Sequence, residues 1–316
     1  MMKANVPSTP RATSTIQGSQ PPKKQSLLVK ILLRVAVIVP LVVLLRFTGI
    51  VESLAFYLPS RDAFTTPAGI QDVTIDAGDG KQLHAWFIPA TDAGVGEKRP
   101  AILHVHGNAG NVSHHLAFSQ HLADAGFHVF LFDYRGFGRS TPARFLSRQQ
   151  LMSDTRAAWD AMLARPDVDA QRSGVYGVSL GGAFALALAS ERPNQVKALC
   201  TVSAFSGFAD IASDKVPVVG RLLVSNSLAG TQSAPSVRCP YLIVHGSNDE
   251  VIPVSHAAVL EAAANAGTSS QEATGNQTTP KQRVRRIIIN GADHNGIMDG
   301  DIAKRETSEF FADILK

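Results

Sequence analysis

The stretch 173–189, SGVYGVSLGGAFALALA, constrains the fold of this chain more than any other part of the sequence. An apolar run leads into a turn of small residues, and an alanine- and leucine-rich helical pattern begins at Leu180. A serine at the tip of such a turn has a strained backbone, and the residues two before and two after it approach closely. Gly177 and Gly181 occupy those positions. The pattern G-x-S-x-G between a strand and a helix predicts that Ser179 is a nucleophile.

A serine hydroxyl needs a base that takes its proton, and the base needs an acid that orients it. Such groups gather at the C-terminal ends of the strands in an open α/β sheet. Predicted strand 241–244 is followed by HGSNDEVIP, which places Asp249 at such an end. Predicted strand 284–289 is followed by NGADHNG, which places His294 at another. The chain order Ser179, Asp249, His294 is the order that accompanies this motif.

Three other carboxylates are alternatives for the acid. Glu250 adjoins Asp249 and faces elsewhere if Asp249 faces the site. Asp293 adjoins the candidate base, and we interpret it as solvated or structural. Asp133 follows an earlier strand in FDYRGFGRS, and we expect it to fix that turn through Arg135.

A serine mechanism also needs N–H groups for the negative charge that develops on the substrate oxygen. The glycines of HGNAGN, residues 106–111, let the backbone approach a ligand. One donor is expected from the residue after the nucleophile, Leu180, and the other from this loop. Asn108 is the first choice for the loop donor and Ala109 the second. A tight structural turn is the alternative explanation of HGNAGN.

The net charge of +4 is concentrated at the N-terminus, because residues 1–34 carry six basic residues and no acid, and +4 less +6 leaves −2 for the remainder. A near-neutral remainder argues against a nucleic-acid partner. Cys200 and Cys239 adjoin apolar runs and are expected to be buried free thiols. Their spacing does not suit zinc, and His114 and His121 have no acidic partner that would complete a metal site. We expect neither a metal nor another cofactor.

The N-terminal region predicts a membrane anchor. Residues 1–26 are rich in Ser, Thr, Pro and Gln, which indicates disorder. Residues 27–51 contain an unbroken apolar run of eleven, 35–45, with flanking arginines that can snorkel to the membrane surface. A secretory signal cleaved before Phe56 is the rival interpretation. The preceding positive charge predicts a cytoplasmic N-terminus and a domain on the non-cytoplasmic side.

Residues 52–316 predict one α/β domain that follows a connector at 52–70. A hairpin over 72–76 and 83–88 is followed by alternating strands and helices, which favours a mostly parallel, doubly wound sheet with an antiparallel edge. The later predicted strands are 101–105, 127–132, 174–178, 196–202, 241–244 and 284–289, and the predicted helices are 113–125, 149–164, 180–190, 254–266 and 301–315. Residues 205–238 are interpreted as a small lid, and residues 267–282, rich in Thr, Ser and Gln, as a polar surface insertion.

Together, HGNAGN, FDYRGFGRS, GVSLGG, HGSNDEVIP and GADHN resemble the α/β-hydrolase superfamily. Over roughly residues 52–316 the chain is similar to its membrane-anchored branch, which includes bud-emergence-type hydrolases, abhydrolase-domain lipid hydrolases and protein depalmitoylases. The polar insertion at 267–282 departs from that pattern. The resemblance implies Ser179 as nucleophile, Asp249 as orienting acid and His294 as base.

We therefore expect a serine hydrolase of carboxylic esters or thioesters, with a small-molecule or lipid-like acyl substrate and no cofactor. A peptidase of the prolyl-oligopeptidase kind is one rival, although such enzymes need a large access-restricting domain. A non-catalytic binding protein on the same fold is the other. The residues favour no particular oligomeric state.

Overall fold

The computed structural model describes residues 27–217, 219–272 and 283–316. The chain divides into two units, Met1–Leu41 and Val42–Lys316. The predicted disordered tail, residues 1–26, lies outside the described residues, as does the larger part of the predicted polar insertion, residues 273–282.

The strands in the described part of the chain are β1 (Leu58–Pro59), β2 (Gln71–Asp76), β3 (Gln82–Ile88), β4 (Arg99–Val105), β5 (Ala109–Gly110), β6 (His128–Phe132), β7 (Val168–Val178), β8 (Ala198–Val202), β9 (Tyr241–Gly246) and β10 (Val284–Ile289). Eight of them form one sheet, in the order β10-β9-β8-β7-β4-β6-β3-β2. The pairs from β10 to β6 are parallel, and β3 runs antiparallel to both of its neighbours. This confirms the predicted mostly parallel sheet with an antiparallel hairpin.

Helices cover both faces of the sheet, because alternate residues of each buried strand point to opposite sides. On β6, Phe130 and Phe132 join one apolar core, and Val129 and Leu131 join the other. The helices are α1 (Leu27–Thr48), α2 (Ile50–Phe56), α3 (Val112–His115), α4 (Ala117–Asp124), α5 (Arg148–Leu163), α6 (Leu180–Glu191), α7 (Phe208–Lys215), α8 (Val219–Leu223), α9 (Gly230–Ser233), α10 (Ser255–Glu272), α11 (Gly296–Asp299) and α12 (Asp301–Leu315).

Several segments differ from the sequence-based expectation, and β7 begins at Val168, six residues before the predicted strand 174–178. The connector at 52–70 contains most of α2 and all of β1, because tertiary contacts stabilise these short elements. The predicted helix 113–125 is two helices that meet at Leu116. Helix α10 continues six residues past the predicted end at 266, so the first part of the predicted insertion is helical.

The N-terminal helix is long and apolar enough to cross a membrane. Its segment Leu27–Arg46 has 20 residues and a mean hydropathy of 2.7. At about 1.5 Å per residue it spans about 30 Å, the thickness of a hydrocarbon core. A signal sequence can have the same length and hydropathy, so anchoring and topology stay predictions. The helix ends before Gly49, whose φ of 66° is left-handed, and α2 begins at the next residue.

Candidate active site

Ser179 lies at the sharp turn between β7 and α6. Its φ of 53° and ψ of −118° fall in a region that non-glycine residues rarely adopt, and its N–H donates to the Val202 carbonyl at 2.9 Å. A Cβ on Gly177 would lie 2.8 Å from the Gly181 carbonyl oxygen, and one on Gly181 would lie 1.9 Å from the Val105 carbonyl oxygen. Close backbone approach therefore requires glycine on both sides of the serine.

The three residues predicted for the site lie together. The His294 Nε2 atom is 3.1 Å from Ser179 Oγ, and its Nδ1 atom is 2.8 Å from Asp249 Oδ2. Asp249 follows β9 and His294 follows the neighbouring β10. A carboxylate on one side of the imidazole favours the tautomer with a proton on Nδ1, which leaves Nε2 free to accept from the serine hydroxyl.

Hydrogen bonds hold Asp249 in its ionised form. Its Oδ1 accepts from the N–H groups of Val251 and Ile252 at 3.0 and 2.7 Å. The His245 Nε2 atom lies 3.4 Å from Oδ2 and donates to the Ile252 carbonyl at 2.9 Å. Burial raises the pKa of the Asp249 carboxyl, but the nearby His245 and the hydrogen bonds from His294 and the Ile252 N–H outweigh burial and hold that pKa well below its ordinary value.

The loops that carry Asp249 and His294 are bonded to each other. Asn248 N–H donates to the Ala292 carbonyl at 3.0 Å. A Cβ on Gly246 would lie 2.3 Å from that same carbonyl oxygen, so the close approach of the loops depends on glycine there. The His-Gly pair at the end of β9 thus shapes the loop that presents Asp249.

Glu250 and Asp293, the alternatives for the orienting acid, do not occupy the position of Asp249 beside His294 Nδ1. Glu250 is exposed. Asp293 is also exposed, and its Oδ1 accepts from the N–H groups of Asn295 and Gly296 at 3.1 and 2.6 Å. Asp293 therefore stabilises the start of α11.

The expectation that Asp133 fixes its turn through Arg135 is wrong. The buried Asp133 carboxylate accepts from Val112 N–H at 2.8 Å and lies 3.2 Å from His84 Nδ1. Arg135 bonds instead to the buried Asp154, with Nη2 and Oδ1 2.6 Å apart. A buried carboxylate such as Asp154 needs a close cation, which local sequence around residue 133 could not reveal.

The expected oxyanion donors border the same space as Ser179. Leu180 is the first residue of α6, where a helical N–H has no carbonyl partner within the helix. Asn108 is fixed by its carbonyl, which accepts from Leu58 N–H at 2.8 Å, beside the short parallel pair β1–β5. Both Leu180 and Asn108 line the cavity that contains Ser179.

Two cavities meet at Asn108 and Ser179. The first, here named the apolar pocket, has a volume of about 350 Å³. Its described lining residues are Val51, Ala55, Phe56, Asn108, Ser179, Leu180, Phe205, Ile211, Ala212, Lys215, Val216, Val219, Gly220, Leu223, Val224, Val251 and Ile252. The second, of about 360 Å³, is lined by residues that include His294, His114, His115, Phe118 and Asn295. Neither set of described lining residues contains a carboxylate.

Cys200 and Cys239 are buried and free, as predicted. Among the described residues there is no group of three or more His, Cys, Asp or Glu side chains that could hold a metal ion.

Sequence reasoning missed one part of this site. Val51, Ala55 and Phe56 line the apolar pocket, although Val51 was expected to end the membrane span, 27–51, and the other two to lie in the connector, 52–70. The spacing of Val51 and Ala55, four residues apart, is that of one helical face, which is the only local signal for their role.

Comparison with known proteins places the chain in a family. Residues 96–229 match the family model described as serine aminopeptidase, S33. The chain is 33% identical to the uncharacterized protein YfhR of Escherichia coli K12 over 268 residues, 82% of this chain and 87% of that protein. It is 30% identical to the α/β-hydrolase domain-containing protein WAV2 of Arabidopsis thaliana over 220 residues, 64% of this chain and 70% of that protein.

A further relative and a solved structure agree with this family. The chain is 30% identical to protein bem46 of Schizosaccharomyces pombe over 162 residues, which are 50% of this chain and 54% of that protein. Its fold matches the crystal structure of hypothetical protein PA2218 from Pseudomonas aeruginosa with a TM-score of 0.63 at 20% identity, covering 80% of this chain and 96% of that one. The chain belongs to the α/β-hydrolase family, in the bem46 branch, and the resemblance stated from its motifs is confirmed.

Proposed function

We propose that this hydrolase is a serine esterase or thioesterase that acts through Ser179, His294 and Asp249. The observation that carries the proposal is the continuous hydrogen-bonded chain from Ser179 Oγ to His294 Nε2 at 3.1 Å and from His294 Nδ1 to Asp249 Oδ2 at 2.8 Å. These contacts fit a nucleophile, a base and an orienting acid.

In the proposed reaction, Ser179 Oγ attacks the acyl carbonyl carbon while His294 Nε2 takes the hydroxyl proton. The N–H groups of Leu180 and Asn108 stabilise the oxyanion, and each such donor typically contributes about 10²–10³ in rate. The tetrahedral intermediate expels the alcohol or thiol, which takes the proton from His294. A water then attacks the acyl carbon of the acyl-enzyme while His294 takes one of its protons. The bond from the acyl carbon to Ser179 Oγ breaks, Oγ takes that proton from His294, and the acid is released.

The apolar pocket favours an acyl group on one side of Ser179. Its lining is dominated by aliphatic and aromatic side chains, with Lys215 the one ionisable group among the described residues. The second cavity, with His114 and Asn295, suits a more polar leaving group. We therefore assign the apolar pocket to the acyl chain and the second cavity to the alcohol or thiol.

An aminopeptidase function is less well supported, although the matching family model carries that description. An aminopeptidase must bind a protonated α-amino group, which requires a carboxylate or several carbonyl acceptors. The described lining of both cavities lacks a carboxylate, and the charged group in the apolar pocket is a cation.

We also propose that Leu27–Arg46 anchors the enzyme in a membrane, with the N-terminus in the cytoplasm and the hydrolase domain on the other side. The length and hydropathy of the helix support anchoring. The orientation is supported by the four basic residues that precede Leu27 and by Lys30 and Arg34 near the start of the helix. Labelling of single engineered cysteines at positions 3 and 301 with a membrane-impermeant maleimide in intact cells tests the topology. Reaction at position 301 alone is expected, and reaction at position 3 alone would contradict the orientation.

The test of the proposed chemistry is hydrolysis of p-nitrophenyl butyrate by the full chain. Ser179→Ala is expected to lower kcat by about 10³ or more, because it removes the nucleophile. Ser190→Ala, at the other end of the same helix, is the matched control and is expected to keep wild-type kcat. Unchanged hydrolysis in Ser179→Ala would refute the assignment.

A further inference from the structure

We propose that α2, the segment that directly follows the apolar N-terminal helix, determines the acyl-chain specificity of this enzyme. We infer that the occupant of the pocket is the single acyl chain of an ester or thioester that resides in a membrane. The inference rests on the proposed function, and it adds the residues that select the chain and the place from which the chain comes.

Helix α2 forms one wall of the apolar pocket. Val51, Ala55 and Phe56 line it from this helix, together with residues of α7 and α8. The Phe56 ring packs against Phe208 with centroids 5.4 Å apart, and against Phe205 with centroids 6.5 Å apart. The pocket in which Ser179 lies therefore depends on a segment that lies outside the matched family region, 96–229.

This wall is fixed to the hydrolase domain by buried polar contacts. Glu52 forms an ion pair with Arg148, whose side chain is 1% exposed. Arg148 Nε donates to Glu52 Oε1 at 2.9 Å. Arg148 Nη1 also donates to the carbonyls of Ser225 and Ser227 at 2.9 and 2.6 Å. Ser53 Oγ accepts from a backbone N–H of the domain at 2.9 Å. A flexible linker would not bury an ion pair, so α2 is a fixed part of the hydrolase domain. Because α2 also lines the pocket, it is part of the binding site.

The last turn of α1 is bonded to α8, which also lines the pocket. Arg46 Nη1 donates to the carbonyls of Arg221, Leu222 and Val224 at 2.8, 3.1 and 3.2 Å, where α8 ends. These are the carbonyls that a helix leaves unpaired at its C-terminus. The walls formed by α2 and α8 are thus both connected to the end of the apolar helix.

The distance along the chain links the pocket to the membrane surface. Val51 in the pocket wall comes three positions after Thr48, the last residue of α1. Even fully extended, three residues span only about 10 Å. If α1 crosses a membrane, the pocket wall must lie within about that distance of the membrane surface, where esters of long acyl chains are concentrated.

The size and lining of the pocket fit one chain. At about 30 Å³ for each water-sized group, its volume of about 350 Å³ holds about a dozen carbon atoms. This volume lies near the lower end of the usual range for ligand pockets, about 300–1,000 Å³. A second chain of similar length would not fit beside the first, so this pocket is expected to hold only the acyl chain of the bond that is cleaved.

The test measures kcat/KM of the full chain in detergent with p-nitrophenyl acetate, octanoate and dodecanoate. Val51→Trp and Ala55→Trp fill the pocket from two positions and are expected to lower the ratio of dodecanoate to acetate kcat/KM at least tenfold. Leu54→Trp is the matched control, because Leu54 lies on the same helix, is 69% exposed and is not among the lining residues. It is expected to keep the wild-type ratio.

An unchanged ratio in both filled variants would overturn the role of α2, while the proposed function would stand. Failure of the wild-type chain to hydrolyse any of the three esters would instead overturn the proposed function itself. The membrane source is tested with monododecanoylglycerol in phosphatidylcholine vesicles, from which release of dodecanoate is expected. Hydrolysis of the p-nitrophenyl esters without release from vesicles would refute that source.

Discussion

Replacing Asp249 by Asn is expected to disable the enzyme while leaving its fold intact. Oδ1 of Asp249 accepts from two backbone N–H groups, at 3.0 and 2.7 Å. In Asp249→Asn the amide oxygen must keep that position, which turns the NH₂ group toward His294 Nδ1. An NH₂ group can only donate there, so the imidazole carries its proton on Nε2 and cannot accept the proton of Ser179.

The wrong tautomer is expected to lower kcat by about 10³–10⁴, equivalent to about 4–5 kcal/mol of transition-state stabilisation. The assay is p-nitrophenyl butyrate hydrolysis, with thermal unfolding as a check on the fold. Glu250→Gln is the matched control, since it changes the adjacent exposed carboxylate and is expected to keep wild-type kcat. A kcat of Asp249→Asn within tenfold of wild type, or an equal loss in Glu250→Gln, would refute the orienting role of Asp249.

Three further predictions concern stability. Gly181→Ala places a methyl group 1.9 Å from the Val105 carbonyl oxygen and is expected to cost about 3 kcal/mol or more in urea unfolding. Burial lowers the pKa of His121 from 6.5 to about 4. Between about pH 4 and 6.5 the unfolded chain therefore binds up to one more proton than the folded chain. The free energy of unfolding is highest above about pH 6.5 and falls by up to about 3 kcal/mol as the pH drops to about 4. His121→Leu is expected to reduce the slope of the free energy of unfolding against pH in this range, because the titrating imidazole is gone. The same slope as in the wild type would contradict this prediction. Arg148→Ala leaves Glu52 without its buried partner and is expected to destabilise by about 3–5 kcal/mol, measurable by thermal unfolding.

The sequence predicted the sheet and the three site residues because their signals are local. Apolar runs end in loops that carry Ser179, Asp249 and His294, and adjacent parallel strands bring such loops to one edge. The glycines that flank Ser179 are likewise explained by contacts within a few residues of the turn and by the neighbouring strand β4.

The remainder depends on partners distant in sequence. The pair of Glu52 and Arg148 joins residues 96 positions apart, and without it the sequence of α2 indicates only the end of an apolar span and the start of a connector. The misassigned partner of Asp133 has the same origin, because Arg135 bonds to an acid on α5 rather than to the nearest carboxylate in sequence. Single-sequence patterns do not record which buried charges meet across the fold.

The central claim is that Ser179 is a nucleophile activated by His294, and covalent labelling tests it most directly. The full chain is treated with a fluorophosphonate probe, digested, and mapped by mass spectrometry. One adduct is expected, on Ser179. It should be absent from Ser179→Ala, and its rate of formation should be at least 100-fold lower in His294→Ala. An adduct on another residue, or undiminished labelling of His294→Ala, would contradict that claim.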